Sequence, residues 1–152
     1  MGIKGLCRDE VITVKPGTKI AEVTRIMEEK NIGCVIISLD GTEWKDVGMR
    51  CAKGFGIVTD RDIALKVINN RLDPQKTSVD EIMTHRNLVV LRDDMGLLEV
   101  LEQVRNAAVR RFPVADAQGN LQGIITIDDI ILLLGREMLN VAQVIENEAP
   151  LL

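Results

Sequence analysis

Two stretches of this chain carry the same residue pattern. Gly56-Ile57-Val58-Thr59-Asp60-Arg61-Asp62-Ile63 and Gly123-Ile124-Ile125-Thr126-Ile127-Asp128-Asp129-Ile130 both read glycine, two β-branched residues, threonine, two variable residues, aspartate and isoleucine, at an offset of 67 residues. A threonine three residues ahead of an acid, where a strand gives way to a helix, has two uses. In the first it is a capping box: the hydroxyl accepts a backbone N–H at the helix start and the acid answers from the third helical position. In the second the same groups face a ligand. Free N–H groups at a helix start suit a phosphate, the hydroxyl adds a hydrogen bond, and an aspartate accepts both hydroxyls of a ribose. Gly56 and Gly123 remove a side chain where a ligand or another backbone comes close. Two occurrences at corresponding places weigh towards the nucleotide use.

Arg110 and Arg111 strengthen that use in the second half. They precede Phe112-Pro113-Val114 at a strand start, and guanidinium groups match phosphate oxygens two at a time. Solvated surface cations are the alternative for both. Pro113 has no N–H and belongs at a strand edge or start.

The elements that must hold these groups repeat as well. Apolar residues at helical spacing predict helices over 18–30, with Ile20, Val23, Ile26 and Met27 inward, and over 97–108, with Leu97, Val100, Leu101 and Val104 inward. A β-like segment precedes each, 11–14 and 88–91, and a strand follows each, 34–37 and 112–115. A turn, a second strand ending at the threonine, and a second helix (60–69 and 128–140) complete each half, which reads β-α-β-β-α. The expected organisation is a first repeat over 1–71 with a hairpin insertion at 41–54, a connection over 72–86, and a second repeat over 87–152 with a helical extension. The insertion holds Trp44, Arg50 and Lys53. It reads as a solvated hairpin or as a loop that covers a pocket or meets a partner. The extension carries Met138, Leu139, Val141, Val144 and Ile145, a stripe that core packing explains first and a dimer interface second.

Composition narrows the classes. The net charge is −4 with no run of Lys or Arg, against nucleic acid as the main partner. The longest apolar run, 130–134, is far too short for a membrane span, and residues 1–10 lack the apolar core of a signal peptide. Three cysteines (7, 34 and 51) without a CxxC pair read as reduced thiols of a cytoplasmic protein. A single His leaves no Ser-His-Asp or His-based metal set, and neither a P-loop nor a GxGxxG motif occurs. The chain is expected to be no enzyme, with no required cofactor, no catalytic residue and no metal.

The repeated GhhTxxD motif, the Arg110–Val114 segment, Val14-Lys15-Pro16-Gly17-Thr18 and Val79-Asp80-Glu81-Ile82-Met83-Thr84 together resemble a pair of CBS domains, named for cystathionine beta-synthase, over residues 10–140. The resemblance implies an α+β fold: two β-α-β-β-α repeats related by a pseudo-twofold and packed through their sheets. It implies clefts between the repeats that take AMP, ADP or ATP, with S-adenosylmethionine behind these, an unknown regulated protein, and a homodimer. It places Asp62 and Asp129 on ribose, with Thr59 and Thr126 near ribose or phosphate and Arg110 and Arg111 on phosphate. Adenine falls among apolar residues against strand backbone near Cys34–Val35 or Phe112–Pro113. The first half has Gly33-Cys34 where the second has Arg110-Arg111, so its phosphate site is expected to be weaker, with Arg61 in compensation. Asp128, beside Asp129, completes the second site, which is expected to be the better one.

Overall fold

The computed structural model describes residues 3–7, 11–38, 55–84, 88–107 and 109–148. The insertion at 41–54 lies outside the described residues. Two three-stranded sheets of identical topology form the centre. In the first, β1 (Thr13–Val14) runs parallel to β2 (Cys34–Ser38), which pairs antiparallel with β3 (Phe55–Thr59). In the second, β4 (Leu91–Arg92) runs parallel to β5 (Arg111–Ala115), which pairs antiparallel with β6 (Leu121–Thr126). The parallel step in each half needs a crossover, and helices α1 (Ile20–Lys30) and α3 (Leu97–Val104) supply it.

The central strands are apolar on both faces because both are covered. Alternate residues go to different cores. Val35, Ile37 and Val58 join Ile20, Val23 and Met27 of α1. Phe112, Val114 and Ile125 join Val100 and Val104 of α3. Ile36, Phe55 and Ile57 meet Leu88, Ala115 and Ile124 of the other half in a third core. The sheets therefore pack face to face, as expected.

Helix boundaries differ from the periodicity where the backbone has another partner. The first helix starts at Ile20 rather than Thr18, because Thr18 gives both its N–H and its hydroxyl to the Lys15 carbonyl, at 3.2 and 2.7 Å. That turn requires Gly17 at φ +87°. The helix expected over 60–69 is a single α-turn, α2 (Asp60–Asp62), that runs on as a π-helix, Ile63–Ile68. The wider turn puts Val67 into the first core. The last helix, α4 (Ile127–Glu148), joins the helix expected over 128–140 and its extension in one continuous element. Its stripe is not core: Met138 is 73% and Leu139 65% exposed. No described helix is long and apolar enough to cross a membrane.

Two short 3-10 helices exchange places between the halves. Ile3–Leu6 packs in the core of the second half, and Val79–Glu81 with Ile82 packs in the core of the first. They occupy equivalent positions. The Ile3 N–H donates to the Met95 carbonyl before α3, and the Val79 N–H donates to the Thr18 carbonyl before α1. Thr84 then adds a rung beside Ile57 of β3, and the Met83 side chain fills the space over Gly56, with its Cγ 3.2 Å from where a Cβ would stand.

Candidate functional site

Both motifs sit at the same end of the sheets, and the strand register makes them equivalent. Cys34 pairs with Thr59, and Arg111 pairs with Thr126. Each strand start is tied to the following helix by the same bond: Asp60 N–H to the Gly33 carbonyl at 3.0 Å, and Ile127 N–H to the Arg110 carbonyl at 2.9 Å. Gly33-Cys34 and Arg110-Arg111 are thus counterparts in three dimensions.

The threonines and aspartates form capping boxes in both halves. Thr59 Oγ1 accepts the Asp62 N–H at 3.1 Å and Asp62 Oδ2 accepts the Thr59 N–H at 3.0 Å. Thr126 and Asp129 repeat this at 3.1 and 2.9 Å, and the Thr126 hydroxyl also donates to Asp129 Oδ2 at 2.8 Å. Asp62 further pairs with Lys66 at 3.3 Å. The capping use, one of the two open from sequence, is therefore realised. It also fixes each carboxylate at a defined point beside the strand end.

The arginines part company. Arg110 is exposed and pairs with the equally exposed Asp128 at 3.2 Å within its own half, a contact that contributes little in water. Arg111 is half-buried and crosses to the other half. Its Nη2 lies 2.8 Å from where a Cβ on Gly33 would stand, and Asp60 Oδ2 lies 3.3 Å from the same point. Any side chain larger than glycine at position 33 would have to displace the guanidinium. Among the described residues Arg111 makes no ion pair. Beneath it, burial pushes the Cys34 thiol above its ordinary 9.0; Arg111 opposes the rise and Asp60 adds to it. Arg61 stands exposed at the surface.

Val35 and Phe112 are fully buried in the helix-side cores, and Pro113 is buried opposite Ile124. Asp60, which the sequence offers only as the first acid of the close pair Asp60/Asp62, shares the space over Gly33. A cavity of about 670 Å³ opens at the opposite end of the sheets, between Lys15, Ser38, Phe55 and Asn120. Residues 39–54, which connect Ser38 to Phe55, lie outside the described residues, and the cavity shares no residue with either motif. Among the described residues no group of three His, Cys, Asp or Glu side chains gathers to hold a metal.

Fold, repeat and motif placement meet in the sequence profile of the CBS domain, which matches residues 3–49 and 79–136. The chain belongs to the CBS domain family. An uncharacterized protein of Methanopyrus kandleri is 29% identical over 83% of this chain, and the match spans 59% of that protein, about three fifths of its length. A CBS domain-containing protein of Bacillus subtilis is 30% identical over 84% of this chain and 81% of its own. Among solved structures, a CBS domain pair in complex with 5′-methylthioadenosine and S-adenosyl-L-methionine superposes with a TM-score of 0.67 at 26% identity, over 90% of this chain and 98% of that one.

Proposed function

We propose that the chain is a non-catalytic regulatory module. It binds an adenine nucleotide (AMP, ADP or ATP) between its two CBS repeats, passes the state of that site to a partner protein, and works as a homodimer. One observation carries the reading: Arg111, half-buried and without an ion pair among the described residues, lies over Gly33 beside the Thr59–Asp62 cap of the other half. A partly desolvated cation whose neighbouring acid, Asp60, stands outside ion-pair distance is a costly feature to keep, and a phosphate supplies a close counter-charge with bidentate hydrogen bonds.

The sequence favoured the second half because both arginines precede its strand. The reach of Arg111 favours the first. There Arg111 would hold phosphate, with Thr59 close by and Asp62 towards the ribose. Thr126, Asp129 and Arg110 offer a second site whose cation already has Asp128 as a partner. Phosphate ranks ahead of S-adenosylmethionine, whose single carboxylate is outweighed by its ammonium and sulfonium charges, whereas a phosphate brings only negative charge to the guanidinium.

Isothermal titration calorimetry of the whole chain against AMP, ADP, ATP, S-adenosylmethionine and GMP tests this. Micromolar heat with an adenine nucleotide and none with GMP is expected. Absence of heat with every adenine compound would leave an interaction scaffold with a degenerate pocket as the better reading.

A further inference from the structure

Helix α4 contains a glycine that its own chain does not need. Gly135 stands inside the 22-residue helix, and a Cβ added there would meet nothing within 4 Å. Glycine is the poorest interior helix former after proline, so the position weakens the helix without serving any contact among the described residues. From Gly135 to Glu148 every residue is exposed. A helical stretch this short is marginal in water unless one face is covered.

The face left uncovered is apolar. On it Ile131, Met138, Leu139, Val141 and Ile145 are between 58% and 73% exposed. Arg136, Asn140, Gln143 and Asn147 gather on the opposite side. Along the middle of the apolar face run Ile131, Gly135, Met138, Ala142 and Ile145, spaced alternately by four and three residues, the spacing of a coiled-coil seam. Their sizes alternate large and small.

We propose that this seam docks antiparallel on the same seam of a second copy of the chain. The alternation is self-complementary. With a twofold axis level with Asn140, Met138 of each copy faces Ala142 of the other, and Ile145 faces Gly135. A twofold interface of this kind uses the same patch on both copies. At roughly 100 Å² for each of the five exposed apolar residues on this face, a twofold pair would bury about 500 Å² per copy and about 1,000 Å² in all, the size a specific interface needs to reach. This rests on the homodimer proposed above and adds its contact surface.

Sedimentation velocity of the full chain between about 1 and 100 μM tests it. The wild type is expected to sediment as a dimer. Gly135→Leu fills open space in the monomer and improves helix propensity, so it is expected to fold, yet to raise the dimer dissociation constant at least tenfold; Met138→Glu is expected to do the same. Gln143→Ala, on the polar side, is expected to leave it unchanged. A monomeric wild type, or a dimer that both seam substitutions leave intact, overturns the proposal. With the three native cysteines replaced, mixed Met138→Cys and Ala142→Cys chains are expected to cross-link to each other; links between two 142 positions instead would overturn the antiparallel arrangement. AMP titration of the same samples reads the clefts separately, so a failed cleft and a failed seam give different results.

Discussion

Replacing Arg111 by alanine separates a functional cation from a structural one. Among the described residues Arg111 has no ion pair to lose, and its guanidinium lies in a half-buried position over a glycine. Deletion removes some packing of its stem and relieves some desolvation of its charge, so stability in urea should change by no more than about 0.5 kcal/mol. Binding should respond very differently. Hydrogen bonds from a charged donor contribute about 1.5–3 kcal/mol, which corresponds to a roughly 10- to 150-fold weaker AMP complex by calorimetry. The Cys34 thiol gives a reporter free of ligand. Arg111 holds its pKa down against burial, so its removal should raise that pKa further and slow alkylation of Cys34 at fixed pH. Arg110→Ala, which removes only an exposed pair, should change affinity by less than about threefold. Unchanged AMP affinity in Arg111→Ala would refute the assignment of this residue to phosphate. A stability loss of several kcal/mol would show that it is a structural strut instead.

Three further outcomes are expected. Thr59→Ala and Thr126→Ala each break a capping box and should lower unfolding free energy by about 1 kcal/mol, measured by urea denaturation, with serine restoring most of it. Gly56→Ala forces Met83 from its place and should cost about 1–3 kcal/mol; adding Met83→Ala should then cost less than it does alone, and strict additivity in the double-mutant cycle would deny the contact. Asp80 Oδ1 accepts the Gly17 N–H at 2.7 Å, and that bond holds the carboxyl below its ordinary 3.8. A lowered folded-state pKa gives stability that is present above the ordinary value and lost as pH falls through the folded one. The Tm difference between wild type and Asp80→Asn should therefore be greatest near neutral pH and shrink as pH drops below 3.8, remaining modest throughout because the group is exposed.

The β-α-β-β-α repeat was legible because each element carries its own period and the GhhTxxD motif marks the same junction twice. Strand register followed from it, and Cys34 and Arg111 are indeed counterparts. The cap and the ligand use of Thr59–Asp62 call for the same residues, so sequence alone could not choose, and the structure shows that the cap is made. The reach of Arg111 was hidden because it depends on a missing side chain 78 residues earlier, at Gly33. The place of Ile3–Leu6 was hidden for a related reason. Its likeness to Val79–Ile82 lies in the carbonyl each N–H meets and the core each apolar side chain enters, and hardly at all in residue identity. The π-helix at Ile63–Ile68 left no mark in the apolar period, which it widens by one residue per turn.

The exchange of the two short helices has a consequence for how the protein is made. Val79 completes the first core and lies 56 residues after Val23; the core that buries Ile3 begins at Leu91 and is finished only by Ile130, 127 positions beyond Ile3. At a synthesis rate of about 5–20 residues per second, that interval is roughly 6–25 s. For that time the nascent chain holds a leading segment whose apolar side chains have no complete seat, while the first half's own core closes as soon as Val79 and Ile82 are made. Pairings this distant in sequence also close late and slowly. The early segment therefore settles only once the later repeat has been made, and it is the stretch of this chain that most needs shelter while it waits.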